Sequence, residues 1–196
     1  MARPRSKDFP EIKRTILMRA AEVFAKIGYA TSTIGDITDA TELSRGALYH
    51  YFPSKEALLY EIIGDQLAVF LNILNEALRS GQAPVEKLRM VTAAIVQCNV
   101  NSRNEQVVVL NEVNRLSDAD RERLKGLERQ IFHKIADLIT MLDVDGRVTD
   151  RNKSVYAMMY LGIVNYTFAW YHPDGPVKPA EYAELVATLF LRGLQG

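Results

Sequence analysis

The chain has 196 residues, 48% of them hydrophobic and 24% charged, with 24 Lys and Arg offsetting 24 Asp and Glu to a formal net charge of zero. These are the proportions of an ordinary soluble globular chain, with room for one large domain or two smaller ones sharing a core. The zero balance excludes a global electrostatic pull on nucleic acid, so any affinity for DNA must come from local basic clusters.

The N-terminus offers one such cluster: Arg3, Arg5, Lys7, Lys13, Arg14 and Arg19 against Asp8 and Glu11. A solvated tip is the other reading of residues 1–8. A first helix is expected from about Pro10 to Ile27, with Ile12, Ile16, Leu17, Ala20, Ala21 and Phe24 on one face and Gly28 as its stop. Pro10 suits its first turn. Thr33 then has the form of an N-cap, with Asp36 three residues on, where a carboxylate favours the positive helix end. Ile37 and Ala40 point inward, and Ser44 offers a second N-cap. The segment Arg45–His50 is too short and too poorly apolar for a core helix. Pro53-Ser54 breaks it, and helix restarts at Lys55 to run to about Arg79. Two short helices before a long one are the sequence form of a helix-turn-helix.

Beyond Ser80–Pro84, helices are expected over Pro84–Asn101, Glu105–Leu116, from the Ser117 cap to Leu142, over Asp150–Tyr171 and over Pro179–Arg192. Strand alternation and internal repeats are absent. The fold class is therefore all-α, with a helix-turn-helix domain at residues 1–54 and a larger helical domain at 55–196.

Thr33, Ile37, Ala40, Ser44, Gly46, Leu48, Tyr49, Tyr51, Phe52, Ser54, Lys55, Glu56 and Leu58 fall in register with a known pattern. The segment resembles the DNA-binding domain of TetR-type transcriptional regulators. It departs at Glu42, which stands where the family has its turn glycine, and at Leu43, where valine is usual. Glutamate adopts the positive φ of that turn at a cost, and it brings negative charge near the DNA face.

For DNA, Thr33 and Ser44 sit at helix N-termini that favour phosphate, and Lys55 supplies a point charge. Tyr49 and His50 are phosphate contacts by analogy with the family. Arg45 is the candidate base reader, since a guanidinium bonds guanine bidentately, although it also stands within reach of Glu42. Gly46 and Ala47 lack bulk and permit close approach. Leu48, Tyr51 and Phe52 read as core.

The resemblance implies a homodimer built from the last two helices. One carries Tyr156, Met159, Tyr160, Ile163, Val164 and Thr167, the other Tyr182, Leu185, Val186, Leu189 and Phe190. Both are apolar on more than one face, so one stripe can pack inward and another against a partner. It further implies a small-molecule effector cavity in the larger domain, and a double-stranded, near-palindromic operator as partner.

The run Asn165–Gly175, with Trp170-Tyr171 ahead of Pro173-Asp174-Gly175, is similar to the FadR-type, acyl-CoA-responsive branch. It reads equally as a hydrophobic clasp closing a helix end. An acyl-CoA effector requires an apolar tunnel and cations. Phe70, Leu74, Ile95, Met158, Leu161 and Phe168 are candidates for the first, and Arg103, Arg115 and Arg147 for the second, with Trp170 a further ligand-binding candidate. Gln97, Asn101, Asn111 and Asn165 are candidate polar anchors, and read equally as structural. A drug-like or aromatic effector, a protein partner, or a helical small-molecule carrier are the other readings.

Catalysis is not expected. Glu22, Glu61, Asp65 and Glu76 lack a matching His or Cys, and there is no phosphate-cradling glycine loop. Cys98 is alone and His50, His133 and His172 are scattered, so neither a disulfide, a metal site nor a cofactor is expected. The N-terminus has no apolar signal region, and no run approaches the ~20 apolar residues of a bilayer span. These point to a cytoplasmic protein.

Overall fold

In the computed structural model, which describes residues 9–195, α1 (Phe9–Ile27) buries Ile16, Leu17, Ala20, Ala21 and Phe24 along one stripe. It ends where Gly28 turns to φ 81, a value a side chain would resist. α2 (Ile34–Thr41), α3 (Arg45–Tyr51) and α4 (Lys55–Arg79) follow, then α5 (Pro84–Asn101), which has Pro84 in its first turn. α6 (Arg103–Glu112) is closed by a 3-10 turn at Val113–Arg115, so the helix expected to reach Leu116 ends four residues sooner. α7 (Asp118–Leu142) starts at Ser117, whose hydroxyl accepts from the Asp120 N–H at 3.1 Å. Among the described residues there is no strand. Arg3, Arg5, Lys7 and Asp8 lie outside the described residues.

The single helix expected over Asp150–Tyr171 is instead two, α8 (Lys153–Asn165) and α9 (Thr167–Trp170), broken at Tyr166. Neither proline nor glycine stands at the break. The cause is tertiary, since side chains supply donors to the carbonyls around it. Tyr182 donates to Ile163 O at 3.2 Å, Asn99 and Thr167 to Val164 O at 2.9 and 3.2 Å, and Arg103 to Phe168 O at 2.7 Å. α10 (Pro179–Gln195) completes the chain.

The chain forms two compact units. The first takes in the chain up to Gln66 together with Asn104–Glu122, and its core holds Phe24, Ile37, Leu48, Phe52, Leu58 and Ile62. The second comprises Leu67–Arg103 and the chain from Arg123 onward, and in it α10 packs along α5. Its core contains a polar pair, the hydroxyls of Thr92 and Tyr160 at 2.8 Å, which satisfies two groups that burial would otherwise penalise.

The apolar stripes of α8 and α10 divide as their patterns require. Tyr160, Val164, Val186 and Phe190 are buried, while Val155, Met158, Met159, Leu185 and Leu189 are exposed. By length and composition α4 is apolar enough to cross a membrane. The expectation that no run would be long and apolar enough therefore does not hold for α4. Within the protein 44% of that stretch is buried.

Candidate nucleic-acid interface

Local hydrogen bonds build the α2–turn–α3 element. The Thr33 hydroxyl accepts from the Asp36 N–H at 3.2 Å, and the Asp36 carboxylate accepts from the Thr33 N–H and hydroxyl, both at 2.7 Å. This reciprocal box satisfies the first donors of α2, and the Thr33 hydroxyl and N–H hold the Asp36 carboxyl below its usual range.

Glu42 then takes the left-handed conformation, φ 57 and ψ 25, with its N–H on Thr38 O. The turn geometry of the family glycine is thus kept by a residue with a Cβ, at a cost of roughly 1–2 kcal/mol. Ser44 caps α3, its hydroxyl oxygen accepting from the Ala47 N–H at 3.2 Å.

Leu48 and Phe52 anchor α3 inward, fully buried, which turns Ser44, Arg45, Gly46, Tyr49 and His50 to solvent and leaves Ala47 half-buried. Arg45 has no ion pair with Glu42 or with any other described residue, so its fork of donors is free. A Cβ added at Gly46 would meet nothing within 4 Å. Internal packing therefore gives no reason for a glycine there. Tyr51 stacks on Phe9 at 4.8 Å, and His50 lies edge-on to Tyr51 at 5.4 Å. Ser44 keeps its hydroxyl proton for an outside acceptor, whereas that of Thr33 is already given to Asp36.

Lys55 is turned toward the protein. Its ammonium donates to Tyr29 O at 2.8 Å and Ser32 O at 2.7 Å and lies 4.3 Å from the centre of the Tyr29 ring. Two of its three protons are thus spent on the α1–α2 turn. The same turn is also held by Glu112, at the end of α6, which accepts from the Tyr29 N–H at 3.2 Å. Sequence reasoning missed Glu112, because its partner is distant in the chain and no local motif marks it.

The effector candidates are dispersed. Phe70 and Leu74 are buried. Gln97 is exposed and bonds Asn101 at 2.9 Å. Asn111 and Arg115 belong to the first unit, both exposed, with Arg115 3.7 Å from Glu112. Arg147 lies 3.7 Å from Asp145 on the surface. Half-exposed Trp170 packs edge-on to Tyr182, which stacks on Tyr171 at 4.9 Å, an aromatic clasp beyond the α8–α9 break. Arg103 and Phe168 do come together, lining with Asn99 and Thr167 a cavity of about 20 Å³. Asn165 is half-buried and its Oδ1 has no hydrogen-bond partner. Among the described residues no cluster of His, Cys, Asp or Glu is arranged to hold a metal.

Two family models match this chain: "Bacterial regulatory proteins, tetR family" over residues 16–62 and "Tetracyclin repressor-like, C-terminal domain" over residues 81–194. The HTH-type transcriptional repressor KstR2 of Mycolicibacterium smegmatis is 28% identical over 184 residues, covering 91% of this chain and 88% of that protein. A TetR-family transcriptional regulator of Bordetella parapertussis 12822 superimposes with a TM-score of 0.86 at 32% identity, covering 92% of this chain and 94% of that one. AibR, solved with isovaleryl coenzyme A and operator DNA, shares the fold with a TM-score of 0.79 at 23% identity, over 92% and 98% of the two chains. With both of its parts matched and the helix-turn-helix in place, the chain belongs to the TetR family of bacterial transcriptional regulators.

Proposed function

We propose that this protein is a cytoplasmic, homodimeric transcriptional repressor that binds a near-palindromic operator and is released from it by a small hydrophobic effector of the acyl-coenzyme A kind. The observation that carries the DNA reading is the outward face of α3, where Arg45 is unpaired and Gly46 is bare without internal cause. On this reading Arg45 reads a base edge and Ala47 meets an apolar base group. Ser44, Tyr49 and His50 meet phosphate, as does Thr33 through the N-terminal end of α2. Lys55 both braces the α1–α2 turn and offers its remaining proton to the backbone.

Residues 1–54 carry the DNA work and residues 55–196 the effector site and the dimer interface. A lone helix-turn-helix reads too few bases, so two copies are needed about one helical turn apart. The exposed apolar residues of α8 and α10 form the surface through which they pair. The effector class is supported by the coenzyme A thioester bound to AibR, a protein of the same fold. Release follows from linkage, because an effector that binds the DNA-free conformation more tightly must weaken operator binding by the same factor.

The test is a gel shift with the intergenic DNA upstream of the protein's own gene, repeated with short-chain, long-chain and aromatic acyl-coenzyme A esters. Release by one class supports both parts of the reading. Specific binding that none of them disturbs removes the acyl-coenzyme A class and leaves the repressor.

A further inference from the structure

From Ser154 to Trp170 the chain carries no charged side chain, yet one side of that stretch faces solvent. Val155, Met158 and Met159 on α8, with Tyr166 and Trp170 beyond them, are each more than half exposed. Their spacing of three and four residues sets them along one helical face. Gly162 stands in the middle of that face, itself exposed, one turn from Met158, Met159 and Tyr166.

The fold of a single chain does not account for a glycine at this point. Its backbone is ordinary helix, without the positive φ of Gly28 or Gly146. A Cβ there would meet nothing within 4 Å among the described residues. Glycine inside a helix is less favourable than alanine, so the bare backbone has a cost that no internal contact explains. Gly126 on α7 is equally bare, but the residues one turn from it are Glu122, Arg123, Arg129 and Gln130, a surface suited to water. Around Gly162 the surface is apolar. A missing side chain there serves a neighbour from outside, because it lets a second backbone come closer than side chains elsewhere allow.

Area and charge identify that neighbour. With Leu185 and Leu189 of α10, which packs against α8, the face exposes roughly 700 Å² of apolar side chain, close to the about 800 Å² that each partner buries in a standard interface. Beside the leucines of α10 stand exposed Glu184 and Arg192, whereas the face of α8 is free of charge. Charge is depleted at the centre of an interface and tolerated at its rim, which puts α8 at the centre. In a two-fold pair the centre is where a residue meets its own counterpart. We propose that two copies of this chain pair with their α8 helices crossing at Gly162, so that each Gly162 faces the partner's Gly162. This rests on the homodimer reading above and names its central contact.

The test uses the full-length protein, with sedimentation to establish the state of the parent. In a Cys98→Ser background, Gly162→Cys is expected to form an intermolecular disulfide under mild oxidation, since such a bridge needs Cα atoms within about 7 Å. Gly126→Cys is expected to stay uncrosslinked. Gly162→Leu is expected to remain folded by circular dichroism and to raise the dimer dissociation constant at least ten-fold, because its side chain stands between the two backbones. A dimeric parent whose Gly162→Cys variant crosslinks no faster than Gly126→Cys overturns the crossing and leaves the dimer. So does a Gly162→Leu protein that dimerises within two-fold of the parent. If Gly162→Leu does not fold, the crosslinking decides. A parent that sediments as a monomer defeats the dimer itself, an outcome distinct from a dimer whose copies meet elsewhere.

Discussion

The backbone N–H of Tyr29 donates to the carboxylate of Glu112 at 3.2 Å, joining the turn after α1 to the end of α6. In the same turn the ammonium of Lys55 donates to the carbonyls of Tyr29 and Ser32. The peptide units that lead into α2 are therefore held through both an N–H and carbonyls, and both sets of bonds are charge-assisted. Glu112→Ala leaves the Tyr29 N–H without its acceptor, at a cost of about 1–3 kcal/mol. The expected result is faster amide exchange at Tyr29 and weaker operator binding, with Glu112→Gln, which retains an acceptor oxygen, close to the parent. An Ala variant whose Tyr29 amide exchanges at the parent rate would show that Glu112 does not hold the turn.

Lys55→Ala is expected to act on the fold as well as on DNA. Hydrogen bonds from charged donors contribute about 1.5–3 kcal/mol each, and two are lost here. A fall in melting temperature of several degrees should accompany the weaker operator binding. A salt slope lowered by about one would mark the remaining proton as a phosphate contact. Weakened binding with an unchanged melting temperature would mean that the bracing role is negligible.

Gly46 separates stability from function. It lies within α3 with open space where a Cβ would be, and replacing glycine by alanine in a helix stabilises by about 0.5–1 kcal/mol. Gly46→Ala should therefore raise the melting temperature slightly while reducing operator affinity, because on the proposed reading the added methyl would stand where the DNA backbone or a base edge approaches. Unfolding by denaturant and operator titration on the same sample check both halves. A variant that is more stable and binds as tightly as the parent would remove Gly46 from the interface.

The helix-turn-helix was legible because each signal that builds it is local. Thr33 with Asp36, Ser44 with the Ala47 N–H, and Gly28 at the end of α1 act within a few residues of where they stand. Glu42 was legible as an oddity for the same reason, and it adopts the left-handed angle that the turn demands. The α8–α9 break was not legible, because what breaks the helix sits on other elements, namely Asn99 and Arg103 at the end of α5 and the start of α6, and Tyr182 on α10. Glu112 and Asn99 escaped for a related reason. A polar residue on a mixed helix shows its purpose only when a distant backbone group meets it.

Alkaline pH should loosen the same turn. Burial, then the charge and hydrogen bond of Glu56, then the charge of Glu112 push the Tyr29 phenol from 10.0 up to about 12. A phenol raised in the folded state contributes stability that is complete below pH 10 and is lost as pH rises through about 12. Tyr29→Phe should flatten the stability profile between pH 10 and 12 relative to the parent. A slope that persists in full would assign it to other buried tyrosines, of which Tyr160 is also raised by burial.

The proposed dimer makes the most direct claim on function. Leu189 on α10 is 67% exposed and shares its exposed stripe with Leu185, while Met158 and Met159 stand out from α8. Isolated exposed leucines are unremarkable, but an apolar stripe on each of two helices of one unit is the surface on which the proposed dimer would form. Leu189→Glu places a carboxylate where the two copies would meet, and in a two-fold interface each substitution is felt twice. The fold should be untouched, since the side chain faces solvent in the single chain. The expected outcome is a folded monomer by sedimentation, with operator binding lost because one α3 alone reads too little DNA. A Leu189→Glu protein that sediments as a dimer would place the interface elsewhere. A monomer that binds the operator undiminished would overturn the link between dimerisation and recognition.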